Sequence, residues 1–143
     1  MRCKTMPNKG AKFSSDYLPK EQMHAALLAL PGVLLTLLGE HKIIASYGWA
    51  TKIHGDLMYK PMREDTRWIQ YLIEDSIEQR IVIPGESDFR IEVPDGRLEL
   101  LFCHECDIHV DGSDDDLLRQ FMAAEPFSQM RWHTKEEVEK RMS

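Results

Sequence analysis

The sequence predicts a single α+β domain, an antiparallel β-sheet with α-helices packed mainly on one face. Three observations point to it. Residues 87–93 alternate, with Phe89, Ile91 and Val93 on one side and Asp88, Arg90 and Glu92 on the other, the period-two pattern of a half-buried strand. Pro94-Asp95-Gly96 is a tight turn signal leading into another apolar run, so the two strands it joins are antiparallel. The remaining segments fall in the order helix, strand, helix, hairpin, helix, unlike the regular alternation of a parallel α/β sheet. A length of 143 residues with 43% apolar content fits one domain. At that size roughly two-thirds of the unfolded chain's surface is buried on folding, enough for a core without staples.

The elements follow from local signals. Residues 1–15 are polar, contain Pro7 and Gly10, and carry Arg2, Lys4, Lys9 and Lys12 with no acidic group. They are expected to be a flexible basic tail, with residues 16–143 forming the domain. Pro19 suits the first turn of a helix to Leu30, in which Met23, Ala26, Leu27 and Leu30 share a face. Pro31-Gly32 is expected to stop it. The apolar run Val33 to Leu38 fits a buried helix or a buried strand equally well. Gly39 to Lys42 reads as a turn, and Ile43 to Ile53 as extended up to Gly55-Asp56. Asp65 or Thr66 caps a helix to about Arg80 whose inner face is Ile69, Leu72, Ile73, Ser76 and Ile77.

After the strand over 87–93, a long strand is expected from Arg97 to Val110. Asp111-Gly112 then turns the chain, and Ser113 caps a helix with the stripe Leu117, Leu118, Phe121 and Met122, ended by Pro126. Phe127 to Trp132 reads as a last strand. Thr134-Lys135-Glu136-Glu137 has capping-box form and opens a terminal helix.

The run Cys103 to Gly112 concentrates the reactive side chains: Cys103, Cys106, His104, His109, Glu105, Asp107 and Asp111. Cys-x-x-Cys is half of a zinc site, but a tetrahedral site needs a second ligand pair, and the sequence offers none. If residues 97–110 are one strand, Cys103 and Cys106 point to opposite faces and do not share an ion. His104 and Cys106 then lie on the apolar side with Leu98, Leu100, Phe102, Ile108 and Val110. Cys103, Glu105, Asp107 and His109 lie on the polar side, where they form an alternative metal-binding or catalytic set. An EF-hand loop beginning at Asp107 fails because Leu118 stands where the bidentate Glu belongs. A redox role for Cys-x-x-Cys wants a helix N-terminus in a βαβ unit, which this pattern lacks. No phosphate-binding glycine loop, dinucleotide fingerprint or hydrolase motif is present, and no cofactor is expected.

Charge narrows the partners. The net charge is −6, and seven carboxylates fall between Leu98 and Leu118 with no Lys or Arg. Such a body repels phosphate backbones, so nucleic acid is not expected as a partner. The apolar stretch Ala25 to Leu38 is broken by Pro31-Gly32, so no membrane span is expected. Three cysteines without a complete set of bridges, and no secretory signal, suggest a reduced cytoplasmic protein. The expected function is non-enzymatic: a small acidic protein that binds a basic protein partner through Glu105, Asp107, His109, Asp111 and Asp115, with Trp49 as an aromatic anchor. A toxin-neutralising immunity protein is one concrete form, by analogy of class alone. The alternative is a metal-dependent enzyme or sensor using Cys103, Glu105, Asp107 and His109. A ligand pocket lined by Trp49, Trp68 and His104 is a third reading without specific support, and the oligomeric state is not legible.

Overall fold

The computed structural model describes residues 11–53 and 55–142. The elements are β1 (Phe13–Ser15), α1 (Lys20–Leu38), β2 (Lys42–Tyr47), β3 (Met62–Asp65), α2 (Ile69–Glu78), β4 (Phe89–Val93), β5 (Leu98–Phe102), β6 (Ile108–Asp111), α3 (Asp115–Ala123), β7 (Trp132–Thr134) and α4 (Lys135–Met142). The strands form one sheet in the order β3-β2-β4-β5-β6-β1-β7, antiparallel at every pairing. The single-domain α+β architecture is the one expected.

One face of the sheet makes the core. Ile43, Ala45 and Tyr47 of β2, Phe89, Ile91 and Val93 of β4, Leu98, Leu100 and Phe102 of β5, and Ile108 and Val110 of β6 are buried in one cluster with the inner residues of α1, α2 and α3. Each such aliphatic or aromatic side chain contributes about 1.5–3 kcal/mol by leaving water. The reverse face carries only a small separate apolar pair, Leu101 and Cys103. There α4 sits at one end, where Arg141 meets His133 of β7.

Several expectations are corrected. Pro31 does not stop α1, which runs unbroken to Leu38 with Pro31 inside it. An internal proline costs about 3 kcal/mol. Burial of Pro31, Val33 and Leu34 beyond it offsets that loss, since two large aliphatic side chains alone supply a comparable sum. By length and composition the continuous helix could cross a membrane, with mean hydropathy 1.4. Its Met23, Leu27, Leu30 and Leu34 side is, however, part of the core. Strand β2 ends at Tyr47, six residues earlier than expected, and Met62–Asp65, not anticipated as a strand, pairs with it. Thr66 is no cap for α2. Its hydroxyl donates to Gly39 O at 2.6 Å and accepts from His41 N at 3.0 Å, tying the end of α1 to the start of α2. The cap of α3 is Asp114, not Ser113, accepting from Leu117 N at 3.1 Å. That bond, then the Arg97 guanidinium, holds the Asp114 carboxyl below its usual range.

Phe127 to Trp132 is a short 3-10 turn followed by β7, not one strand. Phe13–Ser15, placed in the expected tail, is β1 and inserts between β6 and β7. Residues 1–10 of that tail lie outside the described residues. The capping box at α4 forms as read: Thr134 N donates to Glu137 Oε1 at 2.9 Å and Glu137 N to Thr134 Oγ1 at 3.3 Å.

The largest correction concerns residues 97–110. They are not one strand but a hairpin, β5 and β6, closed by the turn Cys103 to Asp107. Cys103 N donates to Asp107 O at 2.9 Å and Cys106 N to Cys103 O at 3.1 Å, with Cys106 left-handed at φ 65°. The face assignment holds for the strand residues because Phe102 pairs with Ile108 in register. It has no meaning for residues 104–106.

After β6 the chain crosses the β4–β5 connection closely. A Cβ on Gly112, whose φ is +137°, would lie 2.3 Å from Arg97 O and 2.9 Å from Leu98 Cα. Gly112→Ala is therefore expected to cost more than about 2 kcal/mol, combining backbone strain with a forced displacement of packed main chain. Urea denaturation measures it, and a loss below half of that would mean the crossing is loose.

Candidate functional site

Antiparallel register places directly opposed residues on one face, so the reverse face can be read in rows. The first row is Arg63, Ile44, Glu92, Glu99 and Asp111, on β3, β2, β4, β5 and β6. The second is Ser46, Arg90, Leu101, His109, Ser14 and His133. Beyond these lie Gly48, Asp88, Cys103 and Asp107, at strand ends.

The first row puts three carboxylates side by side. Burial, then the neighbouring Glu92 charge, pushes the Glu99 carboxyl up, with Asp111 adding to the rise and Arg90 opposing it. The Arg90 guanidinium lies 3.4 Å from Glu99 Oε1. Arg90 thus meets the row at Glu99, and Arg63 stands at its β3 end. Like charges directly opposed across strands are destabilising, so this row costs the fold something.

Asp88 anchors the third group. Although it follows the pattern of a polar strand position, it is only 1% exposed. Its Oδ1 accepts from the backbone N–H of His104 at 2.7 Å and from His104 Nδ1 at 2.8 Å. A carboxylate only accepts, so the imidazole proton is on Nδ1. Its Oδ2 is buried without a hydrogen-bond partner among the described residues. Asp88 also lines a cavity of about 300 Å³ together with Ser46, Gly48, Tyr59, Arg90 and Glu92. Trp49, 48% exposed, packs its ring against His104 with centroids 6.0 Å apart.

A second array crosses from β6 to β1. His109 Nε2 lies 3.2 Å from Asp107 Oδ1, and His109 Nδ1 lies 3.3 Å from Ser14 Oγ. The carboxylate takes the Nε2 proton, leaving Nδ1 to accept from the serine hydroxyl. The residue types are those of a nucleophilic triad, but all three residues are buried. They tie the short strand β1 to the sheet. Ser14 was not legible in the sequence, since nothing local links it to a histidine 95 positions away.

The residues expected to form an acidic rim are dispersed. Asp107 and His109 are buried, Glu105 and Asp111 are half-buried, and Asp115 is exposed and bonded to Lys12 at 3.0 Å. Of the alternative metal set, Cys103, Asp107 and His109 offer donor atoms within 4.8 Å of one another, and Glu105 does not join them. Asp88 and His104 form a second such group around the same Cys103. Cys106 takes no part: its thiol donates to Gly85 O at 3.4 Å. The two sulfurs look apart, as expected, but through the geometry of a turn instead of strand alternation. Cys103 is disulfide-bonded. This departs from the reduced state expected of the cysteines. Trp68 is 53% exposed and packs beside Tyr71, ring centroids 6.0 Å apart.

Asp88→Ala removes the acceptor for two donors on the 103–107 turn and is expected to cost about 2–3 kcal/mol. Asp88→Asn keeps an acceptor oxygen at the Oδ1 position and should retain most of that stability. Equal losses in the two variants, measured by chemical denaturation, would show that the anchor is charge and not hydrogen bonding. Comparison with protein-family models, with curated proteins and with solved structures finds no match to this chain.

Proposed function

We propose that this protein acts by binding a basic protein partner on the reverse face of its sheet, and that it is not an enzyme. The observation that carries this reading is the row Glu92, Glu99 and Asp111, three carboxylates opposed across adjacent strands. Such a row opposes folding, and beyond the Arg90–Glu99 pair at 3.4 Å it gains from any further cation that approaches. The net charge of −6 adds long-range attraction for a basic surface. The interaction surface therefore moves from the expected 105–116 rim onto the sheet, keeping Asp111 and gaining Glu92 and Glu99. Trp49, exposed at the end of the same face, serves as an aromatic anchor. Neutralisation of a basic toxin is one function of this kind.

Hexa-arginine is a suitable probe for full-length protein. Calorimetric titration is expected to show binding that weakens steeply with salt and falls further in the Glu99→Gln/Asp111→Asn double variant. Binding unchanged by both would overturn the reading. The same row predicts a stability gain. Glu92→Gln should add about 0.2–1 kcal/mol at neutral pH by removing one like-charge pair. Because the Glu99 carboxyl is raised in the folded protein, its ionised form costs stability above that raised value, and the cost vanishes below the ordinary glutamate range. The Glu92→Gln gain should accordingly shrink as pH falls through that window. A gain that persists in acid would locate the effect elsewhere.

A second reading is favoured by the meeting of Cys103, Asp107 and His109: a metal site that exists when Cys103 is reduced. Thiolate, imidazole and carboxylate suit zinc. Cobalt(II) added to the reduced protein should give a thiolate charge-transfer absorption that His109→Ala abolishes. Absence of that band after full reduction removes this reading.

A further inference from the structure

The cavity beside Asp88 is the place on the reverse face with an unmet chemical requirement. Oδ2 of Asp88 has no hydrogen-bond partner among the described residues, although the residue is 1% exposed. An unsatisfied buried oxygen of this kind is costly, the more so when charged. Asp88 lines a cavity of about 300 Å³, which is room for one long side chain. Of the other charged groups there, Glu92 is acidic, and Arg90 is engaged with Glu99 at 3.4 Å. We propose that this cavity is an anchor pocket for one lysine or arginine side chain of a basic protein partner, with the cationic head meeting Asp88 Oδ2. The proposal rests on the partner-binding reading above and names the point at which that partner is gripped.

The surroundings fit a side chain better than a bare ion. Asp88, just before β4, and Glu92 within it are four residues apart, about 13 Å in extended chain, so no single ion touches both. A side chain entering along β4 passes Glu92 on its way to Asp88. Tyr59 borders the cavity, 47% exposed, with its backbone in the left-handed region at φ 66°. Its N–H donates to Tyr47 O at 2.6 Å, which holds the ring at the rim in spite of that conformation. A guanidinium or ammonium stem packs on such a ring favourably. Gly48 lets Asp88 and Tyr59 approach the main chain this closely, because a Cβ there would lie 2.9 Å from Asp88 Cβ and 3.4 Å from the Tyr59 ring. A pocket that receives one charged side chain, with Tyr59 at its rim, has the anatomy of an interface hot spot.

The test is an amide-resolved NMR titration of the full chain with N-acetyl-arginine amide, set against the neutral isostere N-acetyl-citrulline amide. Shifts confined to Gly48, Tyr59, Asp88 and their neighbours, with arginine and not with citrulline, are expected. Asp88→Asn should abolish them. If that variant does not fold, Tyr59→Asn, which suits the left-handed backbone, should weaken binding several-fold. Equal shifts with both amides, or none at the cavity with either, overturn the proposal: the Asp88 oxygen is then met by water alone. Hexa-arginine separates this outcome from failure of the wider reading. If it binds through Glu99 and Asp111 without disturbing Gly48 or Tyr59, the sheet face binds cations and the pocket does not. If arginine amide binds at the cavity while hexa-arginine ignores the Glu99→Gln/Asp111→Asn change, the pocket stands and the acidic row is not the partner surface.

Discussion

The reverse face is organised by one buried carboxylate. Asp88 sits just before β4, and its Oδ1 takes two donors from His104, one of them main chain. That pair of bonds fixes the turn joining β5 to β6. Fixing the turn sets the register in which Phe102 faces Ile108 and Leu101 faces His109. The register in turn places every side chain on its face, since a slip of one residue would send the core residues to the reverse side. The rows of charge, the His109 array and the cavity all inherit their geometry from this contact.

Two polar systems on the same face behave differently, and the contrast bears on function. Ser14, His109 and Asp107 form a closed chain of donors and acceptors within the sheet. Such a network stabilises and specifies. Asp88 and the Glu92, Glu99, Asp111 row are incomplete. One has a buried oxygen with no hydrogen-bond partner, and the other opposes like charges across strands. Both departures have the same sign, an excess of negative charge, and both lie on the side of the sheet away from α1, α2 and α3. A fold under selection for stability alone has simple ways to remove either one, with an asparagine or a glutamine. Their coincidence on one face is what the proposed cationic partner would answer.

Much of the frame was legible in the sequence. The alternation of Phe89, Ile91 and Val93 identified β4, and Pro94-Asp95-Gly96 the hairpin that follows. The Thr134 to Glu137 capping box and the Leu117, Leu118, Phe121 stripe appear as read, because all of these are local patterns with a fixed period. Pro31 misled because its local cost is plain in sequence, whereas the burial that offsets it depends on tertiary contacts. The turn at Cys103 to Asp107 was hidden for a related reason. Alternation of apolar and polar residues continues through it, and neither Gly nor Pro marks it; Cys106 takes the left-handed position instead. The site residues were the least legible. Asp88 has the appearance of a solvated strand residue, and Ser14 that of a tail residue. Each acquires its role from a partner 16 or 95 positions away.

The charge of the Cys103 to Asp111 segment drew attention to the right part of the chain for a reason that does not hold. Its acidic groups were expected to face a partner directly, yet Asp107 is buried against His109. A carboxylate buried against its own imidazole steers at long range but does not touch. Contact requires groups that remain accessible or open into a cavity. On this molecule those groups are Glu92, Glu99 and Asp111 along the sheet, and Asp88 within the pocket at its end. Recognition would then divide between two parts of the same face. The row would attract and orient a basic surface, with a strength that salt reduces. The proposed pocket would remove one cationic head from solvent, where its pairing is screened far less, and so would govern how long such a complex lasts.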